Sequence, residues 1–150
     1  MFNLFKKKKE EPRVLTDLDF EVAGSCFYET NIKKLKVKNQ DYSLSDSKLL
    51  EDYKKPIYQY YYINKPVKLI PEPTNKHDSN AIQVVIAGEV VGHVPSELCE
   101  QVHLALNERD IKFISSFIKG GSKSKYRAED GNLYIREARD FEINIRMRYI

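Results

Sequence analysis

The stretch LIPEPTNKHDSNAIQVVIAGEVVGHVP, Leu69 to Pro95, decides how the rest of the chain is read. Pro71 to Asn80 is a run of turn formers and polar side chains, and it leads straight into the apolar segment Ala81 to Ile86. There Ile82, Val84 and Ile86 fall on one face at the two-residue period of a strand. The chain turns at Ala87-Gly88-Glu89 and returns as Val90 to Val94, so a β-hairpin is expected with His93 at its far end. Asn75, Asp78 and Asn80 are residues that bond their own backbone in turns and tolerate unusual φ/ψ. Pro71 and Pro73 stiffen the approach, and strands flank the loop on both sides. Rigid elements around a polar loop are how a scaffold presents a binding site. The same residues also suit a self-bonded turn with no ligand.

Working outward, Ile57 to Ile63 (IYQYYYI) is rich in β-formers and reads as a strand, followed by a turn at Asn64-Lys65 and a strand at Val67 to Ile70. Pro95-Ser96 opens a helix through about Asn107, with Leu98, Val102, Ala105 and Leu106 forming the apolar stripe of an amphipathic helix. Ile111 to Lys119 reads as a strand, Gly120 to Asn132 as a mobile polar hairpin loop, and Leu133 to Ala138 as a further strand. The clearest alternation is the last segment. Phe141, Ile143, Ile145, Met147 and Tyr149 share one face; Glu142, Asn144, Arg146 and Arg148 share the other. Towards the N-terminus, Asp19 to Tyr28 reads as a strand broken at Gly24, and Asn31 to Lys38 as a helix carrying Ile32, Leu35 and Val37. Ser45 to Lys55 is a capped helix that ends at Pro56. Roughly seven short strands and two or three helices make a mainly β, α+β domain. A small, partly open OB-like antiparallel β-barrel is expected, because that shape hides most of the strand edges.

The chain has 150 residues, 41% hydrophobic and 31% charged, which suits one globular domain able to bury its own core. No apolar run approaches the roughly 20 residues that cross a bilayer. The opening MFNLFKKKKEEP lacks the apolar segment of a secretory signal, so a cytoplasmic protein without stable membrane association is expected. Cys26 and Cys99 lie far apart and without CxxC spacing, which argues against structural disulfides or a cysteine zinc site. Residues 1–16, with Lys6-Lys7-Lys8-Lys9, read as a flexible basic tail, and 17–150 as the domain. The net charge of +3 is uneven. Pro71 to Asp110 carries two basic and seven acidic residues, whereas Ile111 to Ile150 carries nine basic and five acidic. A basic surface formed by the two ends would suit a polyanion.

No GxSxG, HExxH, Walker or GxGxxG motif occurs. IKGGSKSK, Ile118 to Lys125, lacks the spacing of a phosphate-binding loop. His77, His93 and Asp78 could be combined into a two-histidine, one-carboxylate metal set, but no further spacing supports it. No metal, no cofactor and no catalysis are therefore expected. His103 falls on the polar side of its helix and reads as exposed. Tyr58, Tyr60 and Tyr62 share a strand face, and packing is expected of them ahead of base stacking.

Three segments in order, VAGSCFY (Val22 to Tyr28), EPTNKHDSNAI (Glu72 to Ile82) and VGHVP (Val91 to Pro95), resemble the HIRAN domain over about Asp17 to Tyr149. The longer segment Lys38 to Tyr62 is similar to that of small stand-alone bacterial and phage members. The resemblance implies an OB-like barrel that holds the 3′-hydroxyl end of single-stranded DNA, as in eukaryotic DNA-repair translocases of the SWI/SNF type. It implies that Asp78 accepts a hydrogen bond from the 3′-hydroxyl. His77 and Phe27 fall where the family has stacking tyrosines, and His93 and Asn75 match a histidine and an asparagine of the site. Cys26 stands where the family has an arginine, and a thiol does not replace its charge. Lys33, Lys34 or the Arg146/Arg148 face are the candidates to compensate.

These residues lead us to expect a non-catalytic module, accessory to DNA replication or repair. Its site is formed by Phe27, Tyr28, Asn75, His77, Asp78, Asn80 and His93. The expected partners are single-stranded DNA or a DNA 3′ end, together with a replication or repair protein. The alternative is a protein-interaction module of the same fold without DNA binding, favoured by Cys26 and the acidic loop. A metal-dependent nuclease using His77, Asp78 and His93 is the third reading.

Overall fold

The computed structural model describes residues 12–150, so the lysine run of the expected tail lies outside the described residues. Among the described residues the chain is mainly β with three α-helices. The last strand, β11 (Glu142–Tyr149), organises the first sheet, running antiparallel between β1 (Thr16–Glu21) and β8 (Ile111–Lys119). Its alternation is realised: Ile143, Ile145, Met147 and Tyr149 are buried. Arg148 and Arg146 point outward and pair across the ladder with Asp17 and Asp19, which stand opposite them in register. Thr16 is already paired with Tyr149, one residue ahead of the expected domain start.

The hairpin of the opening stretch forms the second sheet, β5 (Val67–Pro71), β6 (Ile82–Ile86) and β7 (Glu89–His93) in consecutive antiparallel order. The turn between β6 and β7 has φ of 49° at Ala87 and 82° at Gly88, the positive pair that matches strand twist in a two-residue hairpin. Val67, Leu69, Ile82, Val84, Ile86 and Val91 of this sheet meet the buried face of β11 in one core. Ile32 and Leu35, on or just after α1 (Glu29–Lys33), and Val102 and Ala105 of α3 (Cys99–Glu108) close over that core. Burying such side chains stabilises by roughly 1.5–3 kcal/mol each. Among the described residues no helix is long and apolar enough to cross a membrane.

Several local expectations are corrected by tertiary pairing. The helix expected to Lys38 ends at Lys33, and Lys36–Lys38 becomes β2, paired with β4 (Tyr60–Tyr62). The single strand expected over IYQYYYI is split at Gln59. Ile57–Tyr58 forms β3 and pairs with β9 (Ser124–Arg127), while Tyr60–Tyr62 pairs with β2. The loop expected over Gly120 to Asn132 contains β9, which pairs with both β3 and β10 (Leu133–Arg136). Serine and lysine carry little β-propensity of their own, so pairing partners imposed that strand. The remaining helix, α2 (Asp46–Asp52), is capped by the Ser45 hydroxyl as its sequence indicated.

No closed barrel is found among the described residues, and the expected partly open barrel is not confirmed by the ladders. Among the described residues the ladders form four open sheets: β1-β11-β8, β5-β6-β7, β10-β9-β3 and β2-β4. The first two are stitched together where the chain leaves β1. The Val22 N–H donates to the Ile143 carbonyl of β11 at 2.8 Å, and the next N–H, of Ala23, donates to the His93 carbonyl of β7 at 2.8 Å.

Candidate functional site

That crossing point builds the site. The His93 N–H donates back to the Ala23 carbonyl at 2.9 Å, making a closed two-bond bridge. It requires Gly92: a Cβ there would stand 2.4 Å from Val22 Cγ1 and 2.5 Å from the Ala23 carbonyl oxygen. The glycine of the VGHVP segment is thus what lets the VAGSCFY segment lie against it. Directly after the bridge, Gly24 at φ 71° reverses the chain into a single 3-10 turn, Ser25–Tyr28. The turn packs on β7 and leaves its two rings differently exposed. Tyr28 is half-buried, its ring centroid 6.0 Å from that of His93 at a tilt of 53°. Phe27 is 85% exposed. Cys26 is exposed in the same turn.

His93 is fixed from its other side. Its Nε2 lies 2.5 Å from Glu72 Oε1, and Gln83 Nε2 donates to Glu72 Oε2 at 2.9 Å. Both side chains of the His93–Glu72 pair are more than two-thirds buried. Glu72 stands at the base of the polar loop, where its N–H closes the neck by donating to the Ala81 carbonyl at 2.8 Å. Tyr28, His93, Glu72 and Gln83 therefore form one continuous chain of contacts from the aromatic turn to the loop. Glu72 and Gln83 were not singled out from the sequence. The signal that could have found Glu72 was its place beside Pro73 in the same EP-containing motif, two strands away from a histidine.

The loop itself is held by its own side chains. Asn75 Oδ1 accepts from the His77 N–H at 2.9 Å and the Asp78 N–H at 3.1 Å. Asp78 Oδ1 accepts from the Asn80 N–H at 2.8 Å. This leaves the His77, Asp78 and Asn80 side chains exposed on a fixed backbone. His103, expected to be merely exposed, is half-buried and its Nε2 meets the Asn80 carbonyl oxygen at 2.9 Å, tying the loop tip to α3. Asp78 lies on that same side. The Cys99 thiol at the start of α3 is pushed up by burial first and by the Asp78 charge second.

Of the seven residues singled out, Tyr28 and His93 are brought together, with Phe27 exposed on the turn beside Tyr28, and Asn75, His77, Asp78 and Asn80 form a second group on the loop. No hydrogen bond or ion pair among the described residues joins the two groups directly; Glu72 links them at the loop's base. No group of three or more His, Cys, Asp or Glu side chains among the described residues is close enough to hold a metal ion. The cations considered as substitutes for the missing arginine differ in availability. Arg146 and Arg148 are engaged by Asp19 and Asp17 with two hydrogen bonds each. Lys34 stands 3.8 Å from Glu89, and Lys33 is exposed at the end of α1.

An exposed ring, a tethered histidine and a rigid polar loop can receive a stacked base and hydrogen-bond a sugar or phosphate edge. No curated protein and no solved structure matches the chain. A family model does: the HIRAN domain matches residues 15–138, which contain every residue of both groups. The chain belongs to the HIRAN domain family, whose members are nucleic-acid-binding modules.

Proposed function

We propose that the chain binds single-stranded DNA, and DNA 3′ ends in particular, on the surface formed by Phe27, Tyr28, His93 and the Asn75–Asn80 loop. It does so without catalysis, as an accessory factor to a replication or repair protein in the cytoplasm. The observation that carries this reading is Phe27. A phenyl ring 85% exposed on a turn pinned to two sheets gains nothing for the fold, yet presents a flat apolar face to a base. Stacking on such a ring contributes roughly 1–3 kcal/mol per base whatever the sequence. His93, beside Tyr28, is oriented by Glu72, and Asp78 keeps an exposed carboxylate whose rotamer is set by the Asn80 N–H. A carboxylate beside a strand terminus accepts from a free hydroxyl and repels a phosphate, so it selects one kind of end.

The test is a titration of labelled oligonucleotides ending in a 3′-hydroxyl or a 3′-phosphate. The hydroxyl end should bind at least about tenfold more tightly, the worth of one hydrogen bond to a charged acceptor. Asp78→Ala should erase the difference, and Phe27→Ala should weaken both ends. Equal affinity for the two ends, unchanged by Asp78→Ala, removes the end-reading role. Binding undetectable even at low salt favours the protein-interaction module instead.

A further inference from the structure

A second aromatic surface lies outside that site. Splitting IYQYYYI between two sheets leaves Tyr58, Tyr60, Tyr61 and Tyr62 around a cavity of about 470 Å³. It is also lined by the C-terminal half of β8 with Phe117, by Arg136 at the end of β10 and by Arg139 after it. Tyr60 and Tyr62 are half-buried; partial burial pushes the Tyr62 hydroxyl up to about 12, and its ring meets Phe141 edge-on at 6.3 Å. Tyr58, Tyr61 and Phe117 remain open, each about half exposed or more. Lys36 Nζ sits 4.1 Å over the Tyr60 ring and Lys119 Nζ 5.4 Å over the Phe117 ring. The one acid of the wall, Glu137, is turned to Lys123 at 3.6 Å.

We propose that this cavity is a second binding site, which takes the interior of a single-stranded nucleic acid chain independently of its ends. Flat rings accept bases of any sequence, and the cations around them meet the phosphates between those bases. Charge complementarity selects this occupant. Arg136 lies 4.7 Å over the Tyr126 ring and Lys119 over Phe117, but an apolar peptide would bring no anion to them or to Arg139, whereas a strand carries one phosphate for every base it stacks. The cavity is large enough for one or two nucleotides and is built on β3, β4, β8 and β10, each held by pairing along one edge. The backbone is also anchored: the Tyr60 N–H donates to the buried Ser122 hydroxyl at 3.0 Å. The ligand class follows the reading given above, but the residues are separate from those of the 3′-end site.

The probe is a circular oligothymidylate, which has no end. The chain has ten tyrosines and no tryptophan, so base stacking is read directly as quenching of tyrosine fluorescence. The circle should bind the wild type with quenching. Tyr58→Ala/Tyr61→Ala should weaken it by about five- to 150-fold per stacked base lost. Arg136→Ala/Arg139→Ala should weaken it and lower the slope of affinity against salt by close to two contacts. All four side chains are exposed, and far-ultraviolet circular dichroism checks that each variant folds. The preference for a linear 3′-hydroxyl over a 3′-phosphate should survive both double variants. Failure of the circle to bind, or binding unchanged by both double variants, overturns the proposal. Loss of the end preference with circle binding intact overturns the end-reading role and leaves this site standing.

Discussion

The Val22 side chain lies over Gly92 so closely that a Cβ on Gly92 would stand 2.4 Å from Val22 Cγ1. Two motifs seventy residues apart in sequence meet there because one of them has no side chain. Gly92→Ala should therefore cost about 1–3 kcal/mol from overpacking alone and should part the Ala23–His93 bridge. Gly88→Ala is the control. It meets nothing within 4 Å, and its cost is confined to its φ of 82°, about 1–2 kcal/mol. Urea unfolding of the two variants, with amide exchange at Ala23 and His93, separates the effects. Protected amides at those two positions in Gly92→Ala would show that the close approach is dispensable.

His93 is held by Glu72 rather than by the residues of the loop tip. Replacing either partner should destabilise by about 1–3 kcal/mol, since each leaves a charge-assisted bond unmade. A double-mutant cycle with Glu72→Gln and His93→Gln should show coupling of at least about 0.5 kcal/mol. Glu72→Gln should also weaken oligonucleotide binding although Glu72 itself touches no ligand in the proposed site. Additive energies would show that the pair is incidental.

Asn75 gives one oxygen to two backbone N–H groups. Asn75→Ala should loosen the loop and cost about 1–2 kcal/mol, whereas Asn75→Asp keeps the acceptor and should restore most of it. Hydrogen exchange at the His77 and Asp78 amides is the direct readout. Faster exchange in the alanine variant and near-normal exchange in the aspartate variant are expected.

The outer face of the first sheet sets an acid response. Arg148 holds the Asp17 carboxyl, and Arg146 that of Asp19, below the usual aspartate range, in each case mainly by hydrogen bonding. A folded-state value depressed below the unfolded one means stability that is full above the ordinary aspartate range. It is lost as pH falls through the lower, folded values. Carbon-13 titration should find both aspartates low, and Arg146→Gln should return Asp19 towards its ordinary value while moving Asp17 less. Both pairs are solvent-exposed, so salt should shrink the effect.

Much of this was legible in the residues. The alternation of β11, the 82–93 hairpin and the stripe of α3 are local patterns, because each buries one face and the period of the element decides which residues form it. The loop's bonding was legible for the same reason: Asn75 and Asp78 reach backbone two and three residues on. Misread segments were those whose structure depends on a distant partner. Lys36–Lys38 is a strand because Tyr60–Tyr62 lies beside it, and Ser124–Arg127 because two strands flank it.

Read along the chain, the residues specify a β-rich domain of the HIRAN family, a self-bonded polar loop and the residues proposed for binding. Which of those residues meet follows from the three-dimensional packing alone. It placed Tyr28 and His93 together and joined them to the loop through Glu72. It also paired Arg146 and Arg148 with aspartates and opened a cavity among the tyrosines. The physical reason is range. Hydrogen bonds within a turn and the periodicity of a strand act over a few residues and can be read along the chain. Contacts between sheets depend on where the backbone can approach, and here that is set by one missing side chain at Gly92.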